Sequence, residues 1–91
     1  KLEQLNLSKA TELRSLTLGH ISLKELDLTH CNKLIELYLD ESSTPIPDIS
    51  HLKLEALSLR NKNLTSLDVS KLPETLILLD LFDNKLQGFL V

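Results

Sequence analysis

One cysteine, two glycines, three prolines and three aromatic residues are all that the 91 residues hold of these types, and Trp and Met are absent. The lone Cys31 excludes an internal disulfide and leaves the redox compartment open. With only His30 and Lys33 as nearby basic groups, it reads as a small buried hydrophobe rather than a reactive thiol. So little Gly and Pro rules out a flexible or collagen-like chain. Leu76 to Leu79 is the longest unbroken apolar run, far short of the ~20 residues of a membrane helix. We therefore expect neither a membrane span nor a signal peptide. Basic residues are scattered and the formal net charge is -3, so a nucleic-acid backbone or an acidic membrane has no electrostatic footing.

What the chain does have is leucine in phase. Leu-x-x-Leu-x-Leu occurs at Leu13/Leu16/Leu18, Leu34/Leu37/Leu39, Leu54/Leu57/Leu59 and Leu76/Leu79/Leu81, with starts 21, 20 and 22 residues apart. Between these copies runs a second ladder: Asn6-Leu7-Ser8-Lys9, Asp27-Leu28-Thr29-His30, Asp48-Ile49-Ser50-His51 and Asp68-Val69-Ser70-Lys71. A period of this length means that each repeat is one unit, too small to bury its own apolar side without its neighbours. Two apolar sides of about ten residues each leave no room for a long helix. The expectation is a single domain over residues 1-91, thin and mostly extended.

Proline decides which ladder forms a continuous parallel sheet. It cannot donate a ladder hydrogen bond and is excluded from central strands. Pro45 and Pro47 interrupt the second ladder, and Pro47 takes the slot held by Leu5, Leu26 and Leu67. The first ladder carries no Pro in any copy, so it is expected to be the sheet and the second the back side. Period-two geometry then points the leucines inward and the intervening residues outward. The outward columns are Ser15, Glu36, Ala56, Leu78 and Thr17, Tyr38, Ser58, Asp80. Gly19, Asp40, Arg60, Phe82 and then His20, Glu41, Asn61, Asp83 follow just past the strands.

These motifs resemble the leucine-rich-repeat (LRR) superfamily over nearly the whole chain. Leu64 to Ser70 followed by Leu76 to Leu86 is similar to its short, roughly 21-residue repeats, whereas Leu23 to Leu34 resembles its cysteine-containing plant repeats; the subfamily stays unassigned. The resemblance implies a solenoid of the right-handed β-α superhelix class, mostly β here. About four repeats would carry a parallel β-sheet on the concave face and short extended and turn segments on the convex face. Asn84 occupies the family's asparagine slot, in which the side chain bonds backbone groups of adjacent turns. Ile21, Ser42 and Lys62 stand there in the other copies, and the charge of Lys62 is expected to reach water.

The resemblance also implies protein recognition on the concave face, with no enzyme activity, cofactor or metal. Its variable positions make Glu36, Tyr38, Asp40, Arg60, Asp80 and Phe82 the protein-binding candidates, three of them of types enriched at interface cores. With Glu41 and Asp83, that face is acidic and favours a basic protein partner. Two other functions compete. A structural spacer would dock through uncapped ends, including association between copies, because terminal coils lacking polar caps show their interior to water; on this ground the chain is expected to be a piece of a longer protein. Alternatively the chain is the substrate-recognition part of a larger enzyme or receptor.

The remaining constellations favour structure. Asp27, Asp48 and Asp68 each lie two residues before a Ser or Thr, a pattern that closes turns by accepting backbone N–H groups. A cation bound by this carboxylate ladder is the rival reading, but hard cations want six or more converging oxygens. His30 and His51 share a column with Lys9 and Lys71, which makes a solvated basic stripe and a poor zinc site. No Gly-x-Ser-x-Gly elbow or phosphate loop occurs. Asn6-Leu-Ser8 and Asn63-Leu-Thr65 are glycosylation sequons, of consequence only in a secreted eukaryotic protein.

Overall fold

The computed structural model describes residues 5–86 and the backbone at 89–90. In chain order the elements are β1 (Ser15–Thr17), β2 (Glu36–Tyr38), β3 (Ala56–Ser58), β4 (Leu67–Asp68), a 3-10 turn (Val69–Lys71), β5 (Leu78–Asp80) and β6 (Phe89–Leu90). All four leucine copies contribute to one parallel sheet of order β1-β2-β3-β5. It is in register along Leu16, Leu37, Leu57 and Leu79. Among the described residues no α-helix forms, so each crossover between parallel strands is extended and turned chain.

The hydrogen-bond ladder runs beyond the three residues of each strand. At the start of the strands one carbonyl serves two donors: Arg14 O accepts from the Ile35 and Glu36 N–H groups, Ile35 O from Glu55 and Ala56, and Glu55 O from Ile77 and Leu78. At their ends Leu18 N donates to Tyr38 O, Leu39 N to Ser58 O and Leu59 N to Asp80 O, each at 2.9 Å. The chain then leaves the sheet at one place every time. His20, Glu41, Asn61 and Asp83 all have left-handed backbone, with φ of 63, 58, 53 and 62°. None is glycine; Asn and Asp tolerate this region best, while His and Glu are held there by the bonding around them, at a cost of order 1–2 kcal/mol each.

Inward leucines build the core. Leu34, Leu37, Leu39, Leu54, Leu57 and Leu59 are fully buried together with Cys31. Leu16 and Leu79, at the same register in the two edge strands, are only partly buried. On the opposite side the second ladder forms the expected turns. In each copy Oδ1 of Asn6, Asp27, Asp48 or Asp68 accepts the N–H two residues on, at 2.9 to 3.1 Å. The hydroxyls of Thr29, Ser50 and Ser70 donate to the same oxygens. That side also holds something the sequence reading did not anticipate, a short parallel pair in which Leu67 and Asp68 meet Phe89 and Leu90. The prolines that block pairing lie one return earlier, at Pro45 and Pro47, so the final returns are free to pair.

Successive returns are also joined by polar side chains. Asn84 Oδ1 accepts from Lys62 N and Leu64 N at 2.9 and 3.1 Å, and its Nδ2 donates to Leu59 O and Leu81 O. One return earlier Lys62, whose charge was expected to reach water, is half-buried and turns its ammonium to the backbone. Its ammonium donates to Ser42 O at 2.8 Å, Ser42 Oγ at 3.2 Å and Thr44 O at 2.9 Å. The side chain is long enough to span one return, and the carbonyls left without an asparagine partner there supply acceptors. Burial consequently holds the Lys62 pKa below the ordinary lysine range, with Asp40 opposing. Between the first two returns Thr44 performs the same service, its Oγ1 accepting from Leu23 N at 2.8 Å and donating to Ile21 O at 3.1 Å. As a result no buried side-chain polar atom among the described residues lacks a partner.

Candidate interaction face

The outward face of the sheet is assembled from alternate strand positions. Glu36 and Tyr38 flank the buried Leu37 on β2, and both are partly exposed. On β3, Ala56 is partly exposed but Ser58 is buried. Leu78 and Asp80 take the corresponding places on β5, Leu78 exposed and Asp80 partly so. Asp40 and Phe82 lie two residues past Tyr38 and Asp80, and Arg60 two past Ser58, so parallel register puts them in one row at one edge of the face.

Four of the six candidates meet there, the row's Asp40, Arg60 and Phe82 with Asp80 from the end of β5. Asp40 Oδ1 accepts from Ser58 Oγ at 2.6 Å and from Arg60 N at 2.8 Å. Asp80 Oδ1 accepts from Phe82 N at 3.0 Å, while its Oδ2 lies 3.5 Å from Arg60 Nε. The Arg60 guanidinium stands over the Phe82 ring with Cζ 5.3 Å from the centroid. Phe82 itself is 63% exposed. Beside this row is a cavity of about 220 Å³ lined by Asp40, Glu41, Arg60, Asn61, Phe82 and Asp83. Three carboxylates there face one guanidinium, so the cavity is net acidic. Glu36 and Tyr38 share the face but make no bond to this cluster.

Ser58 matters more than its column suggested. Its hydroxyl points sideways to Asp40 on the preceding return and fixes that carboxylate. An Asp just past one strand and a Ser inside the next strand were legible as neighbours only once the register was known. Glu41 also pairs across returns, its Oε1 2.9 Å from His20 Nε2. Both residues are in the left-handed row, which brings their side chains side by side.

Elsewhere Asp27, Asp48 and Asp68 bond within their own turns and Cys31 is buried. The carboxyls of Asp27, Asp48 and Asp68 are held below the usual aspartate range, chiefly by the hydroxyls of Thr29, Ser50 and Ser70 and then by the backbone N–H groups of the same residues. Burial pushes the Cys31 thiol up, with Asp27 adding to it. Among the described residues no group of three or more His, Cys, Asp or Glu side chains converges as a metal site. No helix of the described residues is long and apolar enough to cross a membrane. Comparison with known proteins places the chain beside none of them: no family model, curated protein or solved structure matches it.

Proposed function

We propose that the chain is a leucine-rich-repeat solenoid acting as a non-catalytic protein-recognition module, with the outward face of its four-stranded sheet as the binding surface for a basic protein partner. The observation that carries this reading is the cluster of partly exposed Asp40 and Asp80 with exposed Arg60 and Phe82, in which carboxylates are fixed by internal donors around an uncovered aromatic ring. Phe and Arg are among the residue types enriched at interface centres, and carboxylates around them suit a basic partner. The in-phase leucine ladder and the Asn84 bridge support the solenoid part.

Size sets the strength of binding. Four strands at ~4.8 Å spacing and ~15 Å length present roughly 300 Å², against the ~800 Å² that a stable complex takes from each partner. Association by this segment alone is therefore expected to be weak and salt-dependent. The test is titration of the isolated partner, once captured and purified, against wild type and the Tyr38→Ala, Phe82→Ala double variant. Affinity should fall at least about tenfold in the variant and should weaken further between low and physiological salt. Undiminished binding by the variant, or binding indifferent to salt, would sink the proposal.

A second reading, a spacer or assembly element that docks through its edges, is favoured by one observation. Ile77, just before the edge strand β5, is 83% exposed. Light scattering separates the two, since a chain that stays monomeric at high concentration does not polymerise by its edges.

A further inference from the structure

Arg60 occupies the centre of the acidic row, and only its backbone is firmly held. Its N–H is bonded to Asp40 at 2.8 Å, but the guanidinium approaches Asp80 Oδ2 at 3.5 Å, beyond an N–H···O hydrogen bond. Its other contact, the Phe82 ring at 5.3 Å, is a weak one where both groups are half-open to water. The groups around it are the rigid ones. Asp40 is clamped by the buried Ser58 hydroxyl and a backbone N–H, and Asp80 by Phe82 N. Each of these carboxylates spends Oδ1 on those clamps and, among the described residues, takes no hydrogen bond on Oδ2.

From this contrast, and resting on the reading of the sheet face as the surface for a basic protein, we infer that Arg60 is the resident occupant of a cation site. An arginine side chain of the partner takes its place over Phe82, with Arg60 swinging out as it binds. Arginine is the cation that fits. Its flat guanidinium stacks on a ring while its fork gives two parallel N–H donors to a carboxylate. Arg60 shows that ring and carboxylate lie within reach of one such group, yet it is tethered in the same row and brings a single Nε toward Asp80. A guanidinium arriving from solvent is free of that tether. With Arg60 displaced, the cavity beside Phe82 keeps the carboxylates of Asp40, Glu41 and Asp83 and loses its one cation.

The experiment titrates the isotope-labelled full chain with the peptide acetyl-Gly-Arg-Gly-Arg-Gly-amide and with its citrulline counterpart, followed by NMR. The arginine peptide should move the amides of Asp40, Arg60, Phe82 and Asp83. Its own side-chain methylene protons should move upfield under the Phe82 ring, an effect lost in Phe82→Leu and with citrulline. Arg60→Gln should tighten binding about tenfold, because the competing cation is gone, whereas Lys53→Gln, which removes a charge outside the row, should not. Three results each overturn the inference: an Arg60→Gln affinity equal to or weaker than wild type, equal tightening in Lys53→Gln, or no upfield shift of the arginine protons. Shifts at Glu36 and Tyr38 that bypass Phe82 also overturn it and leave the sheet face as a binding surface. The broader proposal stands or falls separately, on the Tyr38→Ala, Phe82→Ala variant and the purified partner.

Discussion

At the scale of single residues, three unlike side chains solve one problem: Thr44, Lys62 and Asn84 each reach back one return and bond its backbone. A hydroxyl, an ammonium and a carboxamide are interchangeable here because the requirement is for a partner at a given distance, not for a given group. Removing the partner leaves the carbonyls of Ser42 and Thr44 without their donor, so Lys62→Ala is expected to cost about 1–3 kcal/mol in urea unfolding. Lys62→Asn restores an amide that can donate to a carbonyl, and should recover at least half of that loss. The charge itself opposes folding. Because burial lowers the Lys62 pKa, the unfolded chain holds this proton more tightly, and the contribution of Lys62 to stability rises as pH climbs toward the ordinary lysine value near about 10.4.

At the scale of elements, the strands and the back-side turns have different pH behaviour. The strands pair with one another through backbone bonds and leucine packing, which do not titrate. Three of the four back-side turns instead depend on a carboxylate whose folded pKa is depressed, at Asp27, Asp48 and Asp68. A depressed carboxyl pKa contributes stability that is present above the unfolded value, about 3.9, and is lost as pH falls through the lower folded value. Unfolding followed from pH 7 down to pH 2 should therefore show stability declining below about pH 4. In the Asp27→Asn, Asp48→Asn, Asp68→Asn triple variant that acid limb should flatten while the turns persist. Asn6 already closes the first turn through the same Oδ1 contact, at 2.9 Å to Ser8 N. An unchanged acid limb in the triple variant would mean that other carboxyls set it.

At the scale of the whole molecule, burial is graded along the stack rather than radially. Leu37 and Leu57 are completely enclosed, with a neighbouring strand on each side, whereas Leu16 and Leu79 at the same register pack against one strand only. Leu37→Ala or Leu57→Ala should thus cost about 3–4 kcal/mol, and Leu16→Ala about half as much, as measured by chemical denaturation. Equal losses at the four positions would show that the edges are covered in solution. Much of this arrangement was legible beforehand. The Leu-x-x-Leu-x-Leu spacing located all four strands of the sheet, and Pro45 and Pro47 excluded the second ladder from it. The candidates were legible as members of three outward columns but not as a cluster, because one-dimensional columns do not show that the Ser58 hydroxyl turns to Asp40 or that Arg60 leans over Phe82. Lys62 is half-buried where its charge argued for water, and only the facing carbonyls of Ser42 and Thr44 show why its ammonium lies against the backbone.

The sequence by itself determined the period, the strand positions, the inward leucines and the Asp–Ser/Thr turns. Each of these depends on residues at fixed short separations, where local geometry leaves little choice. Tertiary structure decided what happens about twenty residues apart: which side chain bridges each pair of returns, which carboxylate is fixed and which cation stays loose. Those outcomes depend on reach and angle between neighbouring returns, quantities set by the stacking of the sheet. Phe82 and Arg60 acquire their relation in this way, each unremarkable in its own segment and joined only when β3 and β5 lie side by side.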